Sequence, residues 1–231
     1  MTAIVTLTKY ADIFYRLKAS VNEWEPVTLP RIVVTNHPDV NTFGWNRIDG
    51  IEPFCFARNA NLALRRCLEA RQDVLLINDD CELLHSIVPT LEYTCQQNPN
   101  IGILSPQIDG GVGNRLQHRI DVCDPYKVSQ ERLAFVCVFI PSSTMERVGL
   151  LDERFTGYGG DDVDYCRRVQ AAGLGLAITS RVVVRHGYGH NGMSTSFLRA
   201  LTLEERNRQM RDMNRVLEEK WNSVGDCTST R

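Results

Sequence analysis

Residues 157–168, Gly-Tyr-Gly-Gly-Asp-Asp-Val-Asp-Tyr-Cys-Arg-Arg, gather flexibility and negative charge at one point of the chain. A glycine-rich turn delivers three carboxylates, Asp161, Asp162 and Asp164, to the start of a predicted helix. Free N–H groups and the helix dipole account for one carboxylate there, but not for three. Crowded carboxylates raise one another's pKa, which suits a general base. A second acidic group, Asn78-Asp79-Asp80, closes the apolar run Val74–Ile77. A strand-end carboxylate facing a crevice can hold Mg²⁺ or Mn²⁺, cations that take oxygen ligands and leave positions open for phosphate and water. His186 closes the run Val182–Arg185, and beside two acidic sites its imidazole is a candidate metal ligand. Arg58, opening a helix after Phe56, is placed to pair with a phosphate. His190 is the weaker histidine candidate; His37, His85 and His118 lack such surroundings and read as structural.

Elements that alternate along the chain must position these groups. Ala3–Thr8, Arg31–Thr35, Val74–Ile77 and Ile101–Leu104 read as strands. Between them, Ala11–Trp24, a segment with Ala57, Ala60, Leu64, Cys67 and Leu68 on one face, and Ile87–Asn98 read as helices. The rhythm predicts a doubly wound α/β sheet flanked by helices. In such sheets ligands bind at the C-terminal strand edge, which puts Thr8, Asn36, Asp80 and His186 along one crevice. Further on, Gly110–Asn114 is expected as a flexible loop and Leu133–Ile140 as a buried strand. Ser142 is expected to cap a short helix ending at Val148. Ala177–Thr179 and Val182–Arg185 read as two further strand segments. One domain over residues 1–200, an amphipathic helix packed on or extending from it at 201–222, and a flexible tail at 223–231 complete the expected organisation.

Composition narrows the class. A chain of 231 residues with 43% hydrophobic and 23% charged residues has the makeup of an ordinary globular protein with a sizeable core. A net charge of −2 supplies no general attraction for nucleic acid or anionic membrane. No apolar run approaches the ~20 residues that span a bilayer, and the first residues lack the basic flank of a signal peptide, so a cytoplasmic location is expected. Eight cysteines, none in a CxxC pair, then read as reduced core thiols.

Five blocks together resemble the GT-A fold nucleotide-sugar glycosyltransferases, above all inverting family 2. They are Ile4–Tyr10, Ala57-Arg58-Asn59, Val74–Glu82 as the metal-binding "DXD" strand in an Asn-x-Asp form, Gly149–Phe155, and Gly159–Arg168. They fall in the family's order, and His186 stands where family members place a metal-binding histidine. Gly157–Asp162 also resembles the Gly-Trp-Gly-Gly-Glu-Asp signature of animal β1,4-galactosyltransferases. Three departures stand out: Asp161 replaces a glutamate, Asn78 replaces the first acidic residue of the stricter motif, and Thr35-Asn36 replaces the Asp that often reads the base.

The resemblance implies a single GT-A domain, Rossmann-like, with a mixed sheet. It implies an inverting, metal-dependent transfer from a nucleoside-diphosphate sugar, a UDP-sugar first, to a glycan or other acceptor hydroxyl. Asp80 and His186 would hold Mn²⁺ or Mg²⁺, and Asp162 would be the base. Asp161 and Tyr158 would position the acceptor, and Thr8, Asn36, Arg58, Asn78 and Asp79 would contact the donor. The Gly110–Asn114 loop or the segment after His186 would order over the donor. Two other readings stay open: an inactive sugar-nucleotide or glycan-binding module, and a glycosyltransferase acting on a modified base in nucleic acid. A nucleotidyltransferase would carry a phosphate-cradling glycine loop after the first strand, and Thr8-Lys9-Tyr10-Ala11 is not one.

Overall fold

The computed structural model describes residues 1–112, 114–118, 127–129, 132–187, 199 and 201–225. Strands β1 (Thr2–Leu7), β2 (Arg31–Val34), β3 (Asn46–Ile48) and β4 (Asp73–Ile77) lie parallel in the order β3-β2-β1-β4. The apolar runs of β1, β2 and β4 follow from burial on both faces, while β3 at the edge is Asn46-Arg47-Ile48. Ala3, Val5, Leu7, Val74 and Leu76 pack on one side with α2 (Phe56–Glu69), whose Ala57, Ala60 and Ala63 let it lie close. Ile4, Val33, Leu75 and Ile77 pack on the other with Phe14, Leu17 and Val21 of α1 (Ala11–Trp24). Period two thus persists inside each run: alternate residues serve different cores.

Beyond β4 the sheet becomes mixed. β8 (Cys137–Ile140) runs antiparallel between β4 and β6 (Ile101–Gly110). β9 (Gly175–His186) lies parallel to β6, and β5 (Cys81–Leu83) and β7 (Lys127–Ser129) pair antiparallel to β9. Two reversals restore direction, so β6 and β9 point the same way as β4. His186, the last residue of β9, therefore ends on the same edge as Thr8 and Asp80.

Several boundaries differ from the sequence expectations. Ala177–Thr179 and Val182–Arg185 belong to one strand, because β9 bulges where its partner Pro106 has no N–H to offer the ladder. Only Cys137–Ile140 of the expected Leu133–Ile140 strand is paired. The Gln117 side chain takes over Ala134, accepting its N–H at 2.7 Å and donating to its carbonyl at 3.0 Å. Ser142 does not cap α4 (Ser142–Val148); it is the first helical residue, and its N–H donates to Asp73 Oδ1 at 2.8 Å. Glu25 does the same for α3 (Val88–Gln97), accepting from the N–H groups of Ile87 and Val88 at 2.6 and 3.1 Å. Gly110 belongs to β6, and Asn114 donates through its side chain to the Arg132 carbonyl and accepts from Leu116 N–H, so the expected free loop is held at both ends. Gly113 within it lies outside the described residues.

The last helices are α5 (Asp161–Ala171) and α6 (Leu203–Gly225), the latter running past the expected end at residue 222. Residues 226–231 of the expected tail lie outside the described residues. Thr202 opens α6 with a capping box: its hydroxyl and N–H donate to Glu205, whose own N–H donates back to the hydroxyl. The six described cysteines are free thiols, and burial pushes Cys67 up to about 11; Cys123 and Cys227 lie outside the described residues. Among the described residues no helix is long and apolar enough to cross a membrane.

Candidate active site

The strand-end carboxylates are held by backbone pairing. After β4 the chain turns at Asn78–Asp80 and re-enters the sheet as β5, where Cys81 pairs with His186. That rung sets Asp80 beside His186, with the Gly187 N–H donating to the Asp80 carbonyl at 3.0 Å. Asp80 Oδ1 stands 3.2 Å from His186 Nε2, and both side chains are buried. The His186 Nδ1–H donates to the Gly111 carbonyl, which accepts only. As an imidazolium His186 would also donate from Nε2 to Asp80; as a neutral ring it would turn the Nε2 lone pair toward the carboxylate, and the two groups could then hold a cation together. Burial lowers the His186 pKa, but Asp80, the Gly111 carbonyl and Asp79 outweigh it and raise the imidazole above its usual value. Gly110 makes the approach possible: its φ is +132°, and a Cβ there would overlap the His186 carbonyl. Asp79 accepts from the Thr8 hydroxyl at 2.8 Å. Asn78 shapes the turn, donating its N–H to Val136 O and accepting from Cys81 N–H.

The second acidic group hangs on a turn rather than on the sheet. Gly159 and Gly160 have φ of +91° and +89°, and a Cβ at Gly160 would strike the Phe155 ring. Asp161 and Asp162 then open α5. Burial and the neighbouring Asp162 push Asp161 up to about 7. Burial also raises Asp162, opposed by the Val163 N–H and by Arg132. Tyr158 joins the two halves: burial raises its hydroxyl, and Asp162, Asp161 and Asp80 all act on it in the same sense, with Arg206 opposing them. Asp164 is set apart. It is 0% exposed and is bound by Arg168 at 2.9 Å, Lys220 at 2.7 Å and Trp221 Nε1 at 3.1 Å.

A cavity of about 320 Å³ opens beside Thr8, lined among others by Thr35, Asn36, Glu52, Phe54 and Asn59. The Asn36 amide donates to Glu52 Oε1 at 3.2 Å. Asn59 shapes its wall by bonding both the N–H and the carbonyl of Ile51. Arg58 stands on the first turn of α2 and does not line this cavity. A larger groove beside α1 and β5 contains none of the predicted site residues. Residues 188–198, which include His190 and most of the segment after His186 expected to order over the donor, lie outside the described residues.

Sequence reasoning missed how α6 walls the site. Gln209 accepts from the Tyr158 N–H at 3.0 Å, Met213 Sδ lies 3.2 Å from the Gly157 N, and Met213 and Leu217 close a small core on Phe155. The Thr202-x-x-Glu205 capping box was the available signal for the start of this helix.

No protein-family model matches the sequence, and no curated protein matches it. Solved structures do. GalNAc-T7 with UDP, GalNAc and Mn²⁺ aligns over 90% of this chain and 47% of its own, at 13% identity and a TM-score of 0.64. The mannosyltransferase PcManGT from Pyrobaculum calidifontis, in complex with GDP-Man and Mn²⁺, aligns over 83% and 58%, at 14% identity and a TM-score of 0.59. S. aureus TarS 1-349 aligns over 80% and 60%, at 11% identity and a TM-score of 0.59. The chain spans about half the length of these proteins. Identity this low speaks for architecture alone, and the architecture is the GT-A fold of glycosyltransferases.

Proposed function

We propose that the chain is a metal-dependent inverting glycosyltransferase, transferring a sugar from a nucleoside-diphosphate sugar to an acceptor hydroxyl. The observation that carries this is the buried Asp80–His186 pair at the sheet edge, together with Asp161 and Asp162 at the start of α5, all but His186 acting on the Tyr158 hydroxyl. The fold supports it, and so do the Mn²⁺ and the UDP or GDP-Man of the neighbours. With a neutral His186 ring, Asp80 and His186 fit a divalent cation, Mn²⁺ or Mg²⁺. Among the described residues no three His, Cys, Asp or Glu side chains gather to hold a metal alone, so phosphate oxygens and water would complete the ligand set. Such a cation would act as a Lewis acid on the departing diphosphate.

The chain's own groups do the rest. Thr8 holds Asp79 toward the ribose side, and Asn36 and Phe54 wall the nucleoside. Arg58, on α2, and Asn78, in the turn after β4, are the further donor-side groups of this reading. Tyr158 forms the acceptor platform, and Asp161, protonated over much of the acidic range, orients the hydroxyl. Asp162 takes the hydroxyl proton as the oxygen attacks the anomeric carbon opposite the leaving diphosphate; the sugar–phosphate bond breaks and the configuration inverts. Calorimetry with UDP- and GDP-sugars in Mn²⁺ tests the reading. Asp80→Ala should lose metal-dependent donor binding. Asp162→Asn should keep it while transfer falls about 10²–10⁴-fold. Wild-type turnover in Asp162→Asn, or metal-dependent binding intact in Asp80→Ala, refutes the corresponding role.

A further inference from the structure

Asp80, Asp161 and Asp162 all act on the Tyr158 hydroxyl, and Asp79 adjoins Asp80, so the region in which the proposed reaction seats a diphosphate is acidic. One divalent cation beside them leaves the site acidic, and a diphosphate that sheds its sugar gains charge. A second fixed positive group is needed; Arg132, which acts on Asp162, is exposed, and most other nearby cations are engaged. Arg199 donates two parallel hydrogen bonds to the Asp12 carboxylate at 2.8 and 2.7 Å and lies over the Tyr10 ring. Arg168 and Lys220 are held by Asp164. Lys9 lies over the Phe54 ring, 4.4 Å from its centre.

Arg206, on the first turns of α6, is different. Its Nε is buried and, among the described residues, meets no hydrogen-bond acceptor. A buried guanidinium N–H without an acceptor is costly and calls for an explanation. Its charge acts on the Tyr158 hydroxyl, the same group on which Asp162, Asp161 and Asp80 act. The helix that carries it is fixed near this point by the Thr202 capping box and by Gln209 and Met213 on the Gly157–Tyr158 backbone. We infer that Arg206 binds the diphosphate of the donor from the α6 side, supplying the acceptor that its buried Nε lacks and steadying the leaving group. A guanidinium suits this task because its N–H groups form a fixed fork for phosphate oxygens.

The inference rests on the glycosyltransferase reading, and the test separates the two. Wild type, Arg206→Ala and Arg206→Lys are titrated by calorimetry in saturating Mn²⁺ with UDP, GDP and the nucleosides uridine and guanosine. Arg206→Ala should bind the preferred diphosphate about ten- to a hundred-fold more weakly, with nucleoside affinity unchanged and part of the loss recovered in Arg206→Lys. Unchanged diphosphate affinity overturns the role, including the case in which only the acceptor KM rises. Equal losses for nucleoside and diphosphate overturn it too, since they report a distorted site. If Arg206→Ala does not fold, Arg206→Lys and Arg206→Gln carry the same comparison. A wild type that binds neither diphosphate overturns the glycosyltransferase reading itself, and the Arg206 role with it.

Discussion

Replacing Asp164 by alanine tests whether the third carboxylate of the acidic helix fastens the wall of the site. The carboxylate is wholly buried and accepts from Arg168 Nε at 2.9 Å, Lys220 Nζ at 2.7 Å and Trp221 Nε1 at 3.1 Å. Removing one member of a buried ion pair costs about 3–5 kcal/mol, largely by stranding the other charge. Here neither cation is fully stranded. Arg168 keeps the carbonyls of Val148 and Leu150 at 2.9 and 2.8 Å, and Lys220 keeps Asp152 at 2.7 Å. The expected loss is therefore the lower bound, about 3 kcal/mol. At about 2–4 °C per kcal/mol for a chain of this size, Tm should fall by about 6–12 °C. Thermal and urea unfolding measure the loss, and hydrogen exchange locates it: protection should fall first in α6 and in residues 157–162. A Tm within about 2 °C of wild type would refute the argument and leave α6 fixed by Phe155, Met213 and Leu217 alone.

Two further outcomes follow from the site. Burial raises Asp162, the proposed base, above the usual carboxylate range, so the acid limb of kcat/KM should lie above that range and mark the ionisation of Asp162. Asp161→Asn removes a neighbouring charge and should move that limb to lower pH; a limb that moves up sinks the assignment. The sign for stability is opposite. Asp161, whose folded pKa exceeds its unfolded value of 3.8, favours the folded state fully below that value and loses the contribution as pH rises through about 7. Gly110→Ala must fit a Cβ against the His186 carbonyl at a positive φ, which should cost about 3 kcal/mol and abolish Mn²⁺-dependent donor binding. A stable variant with intact binding would show that the β6–β9 rung does not set the histidine.

The sequence was most legible where one residue type solves one local problem. Val74–Ile77, Ala11–Trp24 and the start of α5 at Asp161 fall where hydrophobic period and glycine placement put them. The shared edge for Thr8, Asp80 and His186 was also readable, because strand ends in an α/β sheet collect there. Long-range substitutions for local signals were hidden. Glu25 and Asp73 cap helices far away in sequence, and no local pattern marks a capping group that arrives from another element. Pro106 marked its bulge in principle, but the bulge falls on the partner strand, so β9 read as two pieces. The role of α6 was hidden for a similar reason: Gln209 and Met213 read as ordinary helix residues until the turn they hold is known.

The two acidic pairs belong to different mechanical units. Asp79, Asp80 and His186 are set by the sheet, through the β5–β9 rung and the close pass of Gly110. Asp161, Asp162 and Tyr158 ride on a glycine turn clasped by α6, with a small core of its own at Phe155, Met213 and Leu217. The hinge of Gly159 and Gly160, the packing of α5 on the sheet and the Cys55 thiol donating to the Phe155 carbonyl tie that turn back to the rest. Changes in the sheet should therefore appear in metal and donor binding, and changes in α6 on the acceptor side. Arg206 crosses that division: it is carried by α6 yet acts on the same hydroxyl as Asp80. A helix that both shapes the acceptor wall and grips the diphosphate would couple seating of the acceptor to departure of the leaving group, which is where an inverting transfer needs its two halves aligned.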